Sequence, residues 1–370
     1  MKIALLKSHF SHLGGLEKYT LKLSQAFVDQ GFSVSIVTSY PAKLPKIKGV
    51  EVIFLGKQRK FSWNQVRQFD KNVNCWLEKQ TLDSIFGMER NRIQTHYRAG
   101  SGVHRAYLEQ RKLTDSFLKK ISFKLNPLHR TLLDIEKKSF ESHLLQTIFT
   151  NSHMVKEEIL FYYSTPPEKI EVVHNGVDWK KYAAYFQRIT KRKTHQFLFI
   201  GHGYKRKGLH FLLHGLYQLN RKDVHLTVVG KEKHLSFFTN LAKKLGLRDQ
   251  VTFLGPTQDP IPYYQMADTL VLPTIYDPFA NVTLEALAMG LFVVTSHFNG
   301  GKEILTEDSG TLIEDLKNPL SVKKSLEFAL LHPKTAESAY LIRESVKDLD
   351  FSRQLDRIVY STIKKIKSRV

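Results

Sequence analysis

Two carboxylates stand on either side of a strand-to-helix junction. Asp277 follows the apolar strand-like stretch Thr269–Leu272, and Glu285 falls in the second turn of a helix that the sequence starts at Asn281, a favoured N-cap residue type. The amides of Ala280–Thr283 are expected to be unpaired and, with the helix dipole, to attract a phosphate. The two acids could hold hydroxyl groups at two distances from that phosphate. A loop aspartate and a solvated helix glutamate without ligand are the alternative.

A second junction carries glycines and cations. The loop Gly201–Gly208 follows the strand-like stretch Phe197–Ile200 and opens a helix. A glycine such as Gly203 lets a ligand approach the backbone, and Arg206 and Lys207 can neutralise a diphosphate. A dinucleotide-binding fingerprint would need a third glycine where Arg206 stands, so that type of loop is excluded. A basic helix start without a ligand is the alternative.

The two junctions together resemble those of retaining GT-B glycosyltransferases, family four of the sequence classification. In that family, of two acids separated by seven residues, the second binds the ribose of the nucleotide and the first contacts the donor sugar. Glu285 and Asp277 match these positions, although the family usually has Glu first. Lys207 matches the lysine of the family's Lys-Gly pair. His202 stands at its usual Arg position, and Arg206 would supply the missing charge.

The resemblance also implies donor contacts from backbone groups. Gly14 and Gly15 resemble the family's Gly-Gly loop, whose amides approach the donor phosphate and sugar, and Gly230 and Leu254 match places that hold the base. The implied donor-binding residues are Gly14, Gly15, Gly203, Arg206, Lys207, Gly230, Leu254, Asp277, Phe279, Ala280, Asn281, Val282 and Glu285.

The segment Arg98–Arg105, in the first half of the chain, resembles the subgroup of this family that places the first outer-core hexose on lipopolysaccharide core. Ser101 stands where several members carry Asp, and His104 follows closely. The implied catalytic residues are Asp277, Lys207, Arg206, Ser101 and His104. The resemblance therefore implies a retaining transferase that moves a hexose, glucose first, from a UDP-sugar to a lipopolysaccharide-core or similar glycolipid acceptor.

Alternating strands and helices would position these junctions. Strand Lys2–Leu6, helix Leu16–Gln30 and strand Val34–Val37 begin one such run, and strand Phe197–Ile200 begins another. Each run predicts an open parallel sheet of the doubly wound α/β class, in which ligands bind beyond the carboxyl ends of the strands. With the resemblance, this predicts a GT-B fold of two Rossmann-like domains that face a cleft.

The expected division has four parts. Residues 1–178 form an acceptor-binding domain, and residues 196–351 form a domain that binds the nucleotide-sugar donor. The stretch 179–195, polar and basic without a clear period, is interpreted as the linker. A C-terminal helix over 352–370 is expected to be able to pack back on the first domain.

The charge of the 370-residue chain is strongly positive, with a net charge of +21 from 56 Lys and Arg against 35 Asp and Glu. Residues 90–138 hold twelve of these cations and four acids. This excess indicates an anionic partner: nucleic acid, anionic lipid or a phosphorylated substrate. Because Thr114–Lys124 interleaves apolar residues with lysines, an interfacial helix on an anionic membrane is expected, with a core-facing helix as the alternative.

Location and cofactors follow from what the sequence does not contain. It shows no signal-peptide pattern and no apolar run long enough to span a bilayer, and its one cysteine, Cys75, suits a reducing cytosol. We therefore expect a cytoplasmic enzyme bound peripherally to the inner face of the membrane. No Asp-x-Asp metal motif is obvious, and fixed cations can replace a metal, so no metal is expected.

Two other function classes remain open. A nucleotide-sugar epimerase can share the two-domain architecture, but it would show no transfer to an acceptor. A nucleic-acid-binding protein would account for the charge of +21, although no recognised nucleic-acid module is present.

Overall fold

The structure is a computed structural model that describes residues 1–10, 15–39, 47–56, 62–115, 117–186 and 193–368. The chain forms two compact units. Unit 1 contains residues up to His174 together with the segment that starts at Gln354, and unit 2 contains Asn175–Arg353. Among the described residues, no helix is both long enough and apolar enough to cross a membrane.

The described strands of unit 1 form a seven-stranded parallel sheet in the order β3-β2-β1-β4-β5-β6-β7. The strands are β1 (Lys2–Leu6), β2 (Ser33–Thr38), β3 (Val50–Phe54), β4 (Ser84–Gly87), β5 (His96–Arg98), β6 (Thr147–Thr150) and β7 (Ile170–Val172). The helices are α1 (Gly15–Asp29), α2 (Ser62–Leu77), α3 (His104–Thr114), α4 (Phe117–Leu125), α5 (Pro127–Phe140) and α6 (His153–Tyr162), with a 3₁₀ turn at Pro167–Lys169.

Burial explains why this sheet forms. Strand β1 is central, and Ile3–Leu6 are fully buried, which is typical of a parallel strand covered on both faces. In α1 the buried residues Tyr19, Leu23 and Phe27 are four positions apart and form one apolar face. Gly31, at a φ of +80°, then allows the chain to turn toward β2.

The basic segment after β5 contains three helices, and Thr114–Lys124 is not one helix as the sequence suggested. Helix α3 ends at Thr114 because Asp115 is extended, with φ −90° and ψ 152°. The Asp115 carboxylate accepts from Arg111 at 2.7 Å, one turn back. Helix α5 starts anew at Pro127, where the Asn126 side chain caps the Leu128 amide.

Unit 2 contains a six-stranded parallel sheet among its described residues, in the order β10-β9-β8-β11-β12-β13. The strands are β8 (His195–Ile200), β9 (Val224–Val229), β10 (Val251–Gly255), β11 (Thr269–Leu272), β12 (Phe292–Ser296) and β13 (Gly310–Ile313). The helices are α7 (Trp179–Phe186), α8 (Leu209–Leu219), α9 (Leu235–Lys244), α10 (Ile261–Met266), α11 (Asn281–Ala288), α12 (Pro319–Leu330) and α13 (Ala336–Glu344), with 3₁₀ turns at Gly300–Ile304 and Lys347–Leu349. The last helix, α14 (Phe351–Lys367), starts in unit 2 and belongs to unit 1 from Gln354 onward.

The strand order of unit 2 brings the two junctions singled out in the sequence side by side. The chain runs outward from β8 to β10 and then returns to place β11 on the other side of β8. The loops that follow β8 and β11 therefore leave neighbouring strands at the same edge. This point, where the strand order reverses, is where ligands bind in doubly wound sheets.

The interpretation of residues 179–195 as a linker is partly wrong. The first half of this stretch forms helix α7, which belongs to unit 2. Tyr182 is buried in the apolar core of that unit. The buried guanidinium of Arg343 donates to the Trp179 carbonyl at 2.7 Å and lies 3.9 Å above the Trp179 ring. The aromatic residues of this helix recur at helical spacing, at Trp179, Tyr182 and Phe186. The lysines between them make the segment polar on average, so the sequence analysis did not detect the helix.

From Gln354 onward, α14 packs within unit 1. Ile358 and Val359 are buried there. Ser361 Oγ donates to Glu171 Oε2 at 2.6 Å, and Arg357 donates to the Val172 carbonyl at 3.2 Å. The C-terminal helix is therefore joined to the edge strand β7 by polar contacts as well as by apolar burial.

Candidate functional site

Three side chains predicted to act on a diphosphate and a sugar meet at the carboxyl edge of the unit 2 sheet. Asp277 Oδ2 accepts from Lys207 Nζ at 2.5 Å and from Arg206 Nη1 at 3.0 Å. The same Arg206 nitrogen donates to the Tyr276 carbonyl at 3.1 Å. We call Asp277, Lys207 and Arg206 the ion cluster.

Burial makes the ion cluster electrostatically strong. Asp277 and Lys207 are 8% and 7% exposed, whereas 38% of the Arg206 side chain is exposed. Burial alone would raise the pKa of Asp277, but the Lys207 ammonium and Arg206 guanidinium hold it below its ordinary value. Burial lowers the pKa of Lys207 despite the Asp277 charge. Two cations facing one anion leave a net positive charge, which Arg206 presents to solvent.

Glycines let the loops approach closely enough to build the cluster. A Cβ on Gly208 would lie 1.8 Å from the Pro273 carbonyl oxygen, and one on Gly230 would lie 1.9 Å from the Gly201 carbonyl oxygen. Both glycines have positive φ, at +79° and +140°. The Arg206 carbonyl accepts from the Ile275 amide at 3.0 Å, which ties the β8 loop directly to the β11 loop.

Helix α11 begins at Asn281 as the sequence predicts, but its N-cap residue differs from the expectation. Its N-cap is Ala280, with φ −70° and ψ 111°, and Asn281 is the first helical residue. The Ala280 amide donates to Asn299 Oδ1 at 3.1 Å, and the Thr283 amide donates to the Ala280 carbonyl at 2.9 Å. Of the four amides predicted to be unpaired, those of Ala280 and Thr283 therefore have acceptors within the protein. Those of Asn281 and Val282 remain in the first turn, where the helix itself supplies no acceptor.

Asn299 holds this helix start and was not identified as a site residue from the sequence. It is fully buried, and its Oδ1 accepts from the amides of Ala280 and Gly301 at 3.1 and 3.0 Å. Its Nδ2 donates to the hydroxyls of Thr283 and Thr295, each at 3.0 Å. Because these partners lie on separate elements, local sequence gives no signal for the role.

Glu285, the second acid, is half-buried on α11 and has a partner that the sequence did not reveal. Its Oε2 accepts from the Tyr264 hydroxyl at 2.7 Å. Tyr264 is fully buried on α10, and burial, followed by the charge of Glu285, raises its pKa well above the ordinary value. The phenol therefore keeps its proton and is always the donor.

The remaining donor-binding residues fall into different environments. Gly203 is exposed at a φ of +73°, with open space where a Cβ would lie, so a ligand can approach it. Leu254 is 48% exposed on β10. The Phe279 side chain is instead buried in the apolar core of unit 2, so it supports the loop rather than a ligand. Gly15 begins α1, and Gly14 lies outside the described residues.

The other two predicted catalytic residues belong to unit 1. Ser101 is exposed in the loop before α3, and His104 is the buried first residue of that helix. The His104 amide donates to Glu136 Oε2 at 2.6 Å, and Arg90 Nε donates to the same oxygen at 2.6 Å. The His104 ring lies 3.0 Å from His129 Nδ1 through its Nε2.

These contacts explain the chemistry of His104. Burial, followed by the nearby Arg90 charge, lowers its pKa to about 4. His104 is therefore neutral at pH 7, and it can share a single proton with His129. A base this weak can orient a hydroxyl through a hydrogen bond more readily than it can abstract a proton.

Two families of known proteins match consecutive parts of the chain. Residues 13–181 match the family described as Glycosyltransferase Family 4, and residues 183–342 match the family described as Glycosyl transferases group 1. The ion cluster, Glu285 and Tyr264 all lie in the second matched part.

Individual relatives are more distant. The chain is 28% identical over 229 residues to an uncharacterized glycosyltransferase of Methanocaldococcus jannaschii. This match covers 58% of each protein. It is 23% identical over 330 residues to the lipopolysaccharide glucosyltransferase WaaG of Escherichia coli, which covers 85% of this chain and 86% of WaaG. The chain spans about half the length of the first curated relatives it matches.

Solved structures share the fold. The crystal structure of WaaG, a glycosyltransferase involved in lipopolysaccharide biosynthesis, has a TM-score of 0.77 at 22% identity, covering 96% of this chain and 98% of WaaG. The Anabaena protein HepE in complex with UDP-glucose has a TM-score of 0.69 at 16% identity, covering 99% of this chain and all of HepE. The prediction of two doubly wound α/β domains of the GT-B type is confirmed.

The depressed pKa of His104 predicts a pH-dependent stability. The folded-state pKa is about 4, against an ordinary 6.5. The unfolded chain therefore binds more protons between these values. The contribution of His104 is fully present above pH ~6.5 and is lost as the pH falls toward ~4, on the order of 3 kcal/mol in total. The His104→Gln variant should therefore show a smaller decrease in Tm than the wild type when the pH falls from 6.5 to 4.5.

The control for this experiment is His143→Gln, which removes an exposed imidazole from the same unit. We expect H143Q to keep the wild-type difference in Tm between pH 6.5 and 4.5. If H104Q shows the same difference in Tm between these pH values as the wild type, His104 is not held neutral by burial in the folded protein.

Proposed function

We propose that the chain, which matches the two glycosyltransferase families over residues 13–181 and 183–342 and has a GT-B fold, is a retaining enzyme that moves a hexose from a UDP-sugar to a glycolipid acceptor. Glucose is the proposed sugar and lipopolysaccharide core, or a similar glycolipid, the proposed acceptor. The similarity to WaaG across most of both chains supports this choice. Both matching families are transferases, which favours transfer over the epimerase and nucleic-acid-binding alternatives.

The ion cluster is the observation that carries the proposal. When a glycosyl bond to a nucleoside diphosphate breaks, negative charge grows on the leaving phosphate while positive charge grows at the anomeric carbon. Arg206 presents its guanidinium at the carboxyl edge of the sheet, with Lys207 2.5 Å from Asp277 behind it. Fixed cations at this place would stabilise the leaving diphosphate without a metal ion.

The α11 helix supplies the rest of the donor site. The first-turn amides of Asn281 and Val282 would face a phosphate oxygen, and Glu285 would accept hydrogen bonds from the ribose hydroxyls. Asp277 uses Oδ2 for both cations, so Oδ1 is the oxygen proposed to contact the sugar. The UDP-glucose complex of HepE, a structure of the same fold, supports a UDP-sugar as the donor.

We assign the acceptor to unit 1, with Ser101 and His104 near the reacting hydroxyl. Ser101 is exposed in the loop before α3, and the neutral His104 is three residues further along the chain. A neutral imidazole and a hydroxyl can align an acceptor alcohol by hydrogen bonding. Transfer with retention of anomeric configuration is proposed from the family resemblance.

We further propose that unit 1 contacts an anionic membrane from the cytoplasmic side. Ion pairs already neutralise part of the basic segment: Arg90 pairs with Glu136 at 2.6 Å, and Arg111 pairs with Asp115 at 2.7 Å. Of the basic segment 90–138, we therefore propose that α4 and the residues around it make the membrane contact. Ile121 and Leu125 of this helix are 45% and 72% exposed. The side chains of Phe117, Leu118, Lys119 and Lys124 lie outside the described part of the structure.

The proposed activity is tested by UDP release. The enzyme is incubated with UDP-glucose, UDP-galactose and UDP-N-acetylglucosamine, each with lipid-linked core oligosaccharide, soluble oligosaccharide or no acceptor. We expect release with UDP-glucose that depends on the glycolipid. Conversion of the UDP-sugar to an epimer without acceptor glycosylation would contradict the proposal.

The two cations of the ion cluster should respond differently to substitution. Arg206→Met should lower kcat by about tenfold to a hundredfold, equivalent to ~1.5–3 kcal/mol for one charge-assisted contact, with little change in Tm. Lys207→Met should lower kcat and also Tm, because it leaves the buried Asp277 with one partner. Steady-state kinetics and thermal unfolding measure both effects.

Lys205→Met is the matched control, since Lys205 is an exposed cation of the same loop. We expect K205M to keep most of the wild-type turnover. An R206M enzyme as active as K205M would place the diphosphate elsewhere.

Membrane binding should depend on the exposed apolar residues of α4. Each inserted aliphatic side chain contributes roughly 1.5–3 kcal/mol. Ile121→Ser combined with Leu125→Ser should therefore reduce sedimentation with phosphatidylglycerol vesicles at least tenfold. Leu320→Ser with Leu331→Ser, which alters two residues of unit 2 that are 58% and 75% exposed, is the control and should sediment like the wild type. Equal sedimentation of both variants would remove α4 from the membrane contact.

A further inference from the structure

Tyr264 is a buried phenol whose hydroxyl contacts a proposed ligand-binding acid. Its ring is fully buried in the apolar core of unit 2, on the short helix α10. The hydroxyl donates to Glu285 Oε2 at 2.7 Å, across to helix α11. Two elements that are separate in the sequence are thus joined through one side-chain hydrogen bond at the donor site.

We infer that Tyr264 is a positioning residue for the nucleotide: its hydroxyl holds Oε2 of Glu285 so that Oε1 is presented to the ribose hydroxyls. The inference rests on the proposed function, which assigns Glu285 to the ribose. It goes further by identifying the side chain that sets the orientation of that acid.

Burial argues that the hydroxyl has a specific role. A phenylalanine ring would fill the same apolar space, while a buried hydroxyl without an acceptor costs free energy. The hydroxyl is therefore explained by its hydrogen bond rather than by packing. Since burial keeps the phenol protonated, it donates at every physiological pH.

The surroundings of Tyr264 are rigid enough to fix a partner. Its backbone carbonyl accepts from Lys334 Nζ at 3.3 Å, and its ring packs within the same apolar cluster as Leu284 and Leu287, the neighbours of Glu285 on α11. A free glutamate side chain loses considerable rotamer entropy when a ligand orders it. A carboxylate that is already held in place avoids much of that loss on binding, which raises affinity.

The test compares two ligands on three proteins. The affinities of UDP and of 2′,3′-dideoxy-UDP are measured by isothermal titration with the wild type, Tyr264→Phe and Glu285→Ala. We expect Y264F to bind UDP about fivefold more weakly than the wild type, as the loss of one hydrogen bond would give. The dideoxy ligand should bind Y264F and the wild type equally, because it lacks the hydroxyls that Glu285 would contact.

Unit 1 offers a matched control. Tyr163 is a second buried tyrosine that donates to a carboxylate, in this case Glu136 Oε1 at 2.6 Å. Tyr163→Phe removes the same type of hydrogen bond away from the donor unit. We expect Y163F and Y264F to lower Tm by similar amounts, and Y163F to bind UDP like the wild type.

The outcomes separate the inference from the proposed function. If E285A loses UDP affinity while Y264F keeps it, the positioning role is overturned and the donor site stands. If Y264F loses affinity equally for UDP and the dideoxy ligand, the effect is general damage to the unit, which also overturns the inference. If E285A binds UDP like the wild type, Glu285 does not hold the ribose, and that part of the proposed function fails.

Discussion

The structure of the candidate site depends on one buried carboxylate between two cations. Asp277 is 8% exposed, and a charge so far from water is tolerated only when it is paired and hydrogen-bonded. Lys207 and Arg206 supply those partners, both through Oδ2. Their loop must therefore lie against the loop of Asp277. The close approach of Gly208 to the Pro273 carbonyl is what allows this.

The same pairing would prepare the site for the proposed anionic donor. Lys207 is largely occupied by Asp277, so Arg206, with 38% of its side chain exposed, presents the remaining positive charge. Polar contacts behind this surface fix α11: Asn299 holds the amide of Ala280, and Tyr264 holds the carboxylate of Glu285. A site held in place before its ligand arrives loses less entropy on binding.

The sequence predicted the residues of the ion cluster because two strand-to-helix junctions carry them at a recognisable spacing. It also predicted both doubly wound sheets, because alternating strand and helix patterns are local. The interpretation of Asn281 as the N-cap is wrong, because the Asn299 side chain holds the Ala280 amide from a distant loop. The contact between Tyr264 and Glu285 could not be predicted for the same reason, because the two residues are 21 positions apart and lie on different helices.

The most direct test of the account is hydrogen–deuterium exchange of the whole chain with and without UDP. The account predicts slower exchange in peptides covering the Gly201–Gly208 loop and the first turn of α11, where the amides of Asn281 and Val282 would face phosphate. Peptides at the opposite edge of the same sheet, around Arg221, should exchange at an unchanged rate. Protection confined to that opposite edge, or unchanged exchange in both the Gly201–Gly208 loop and α11 at saturating UDP, would contradict it.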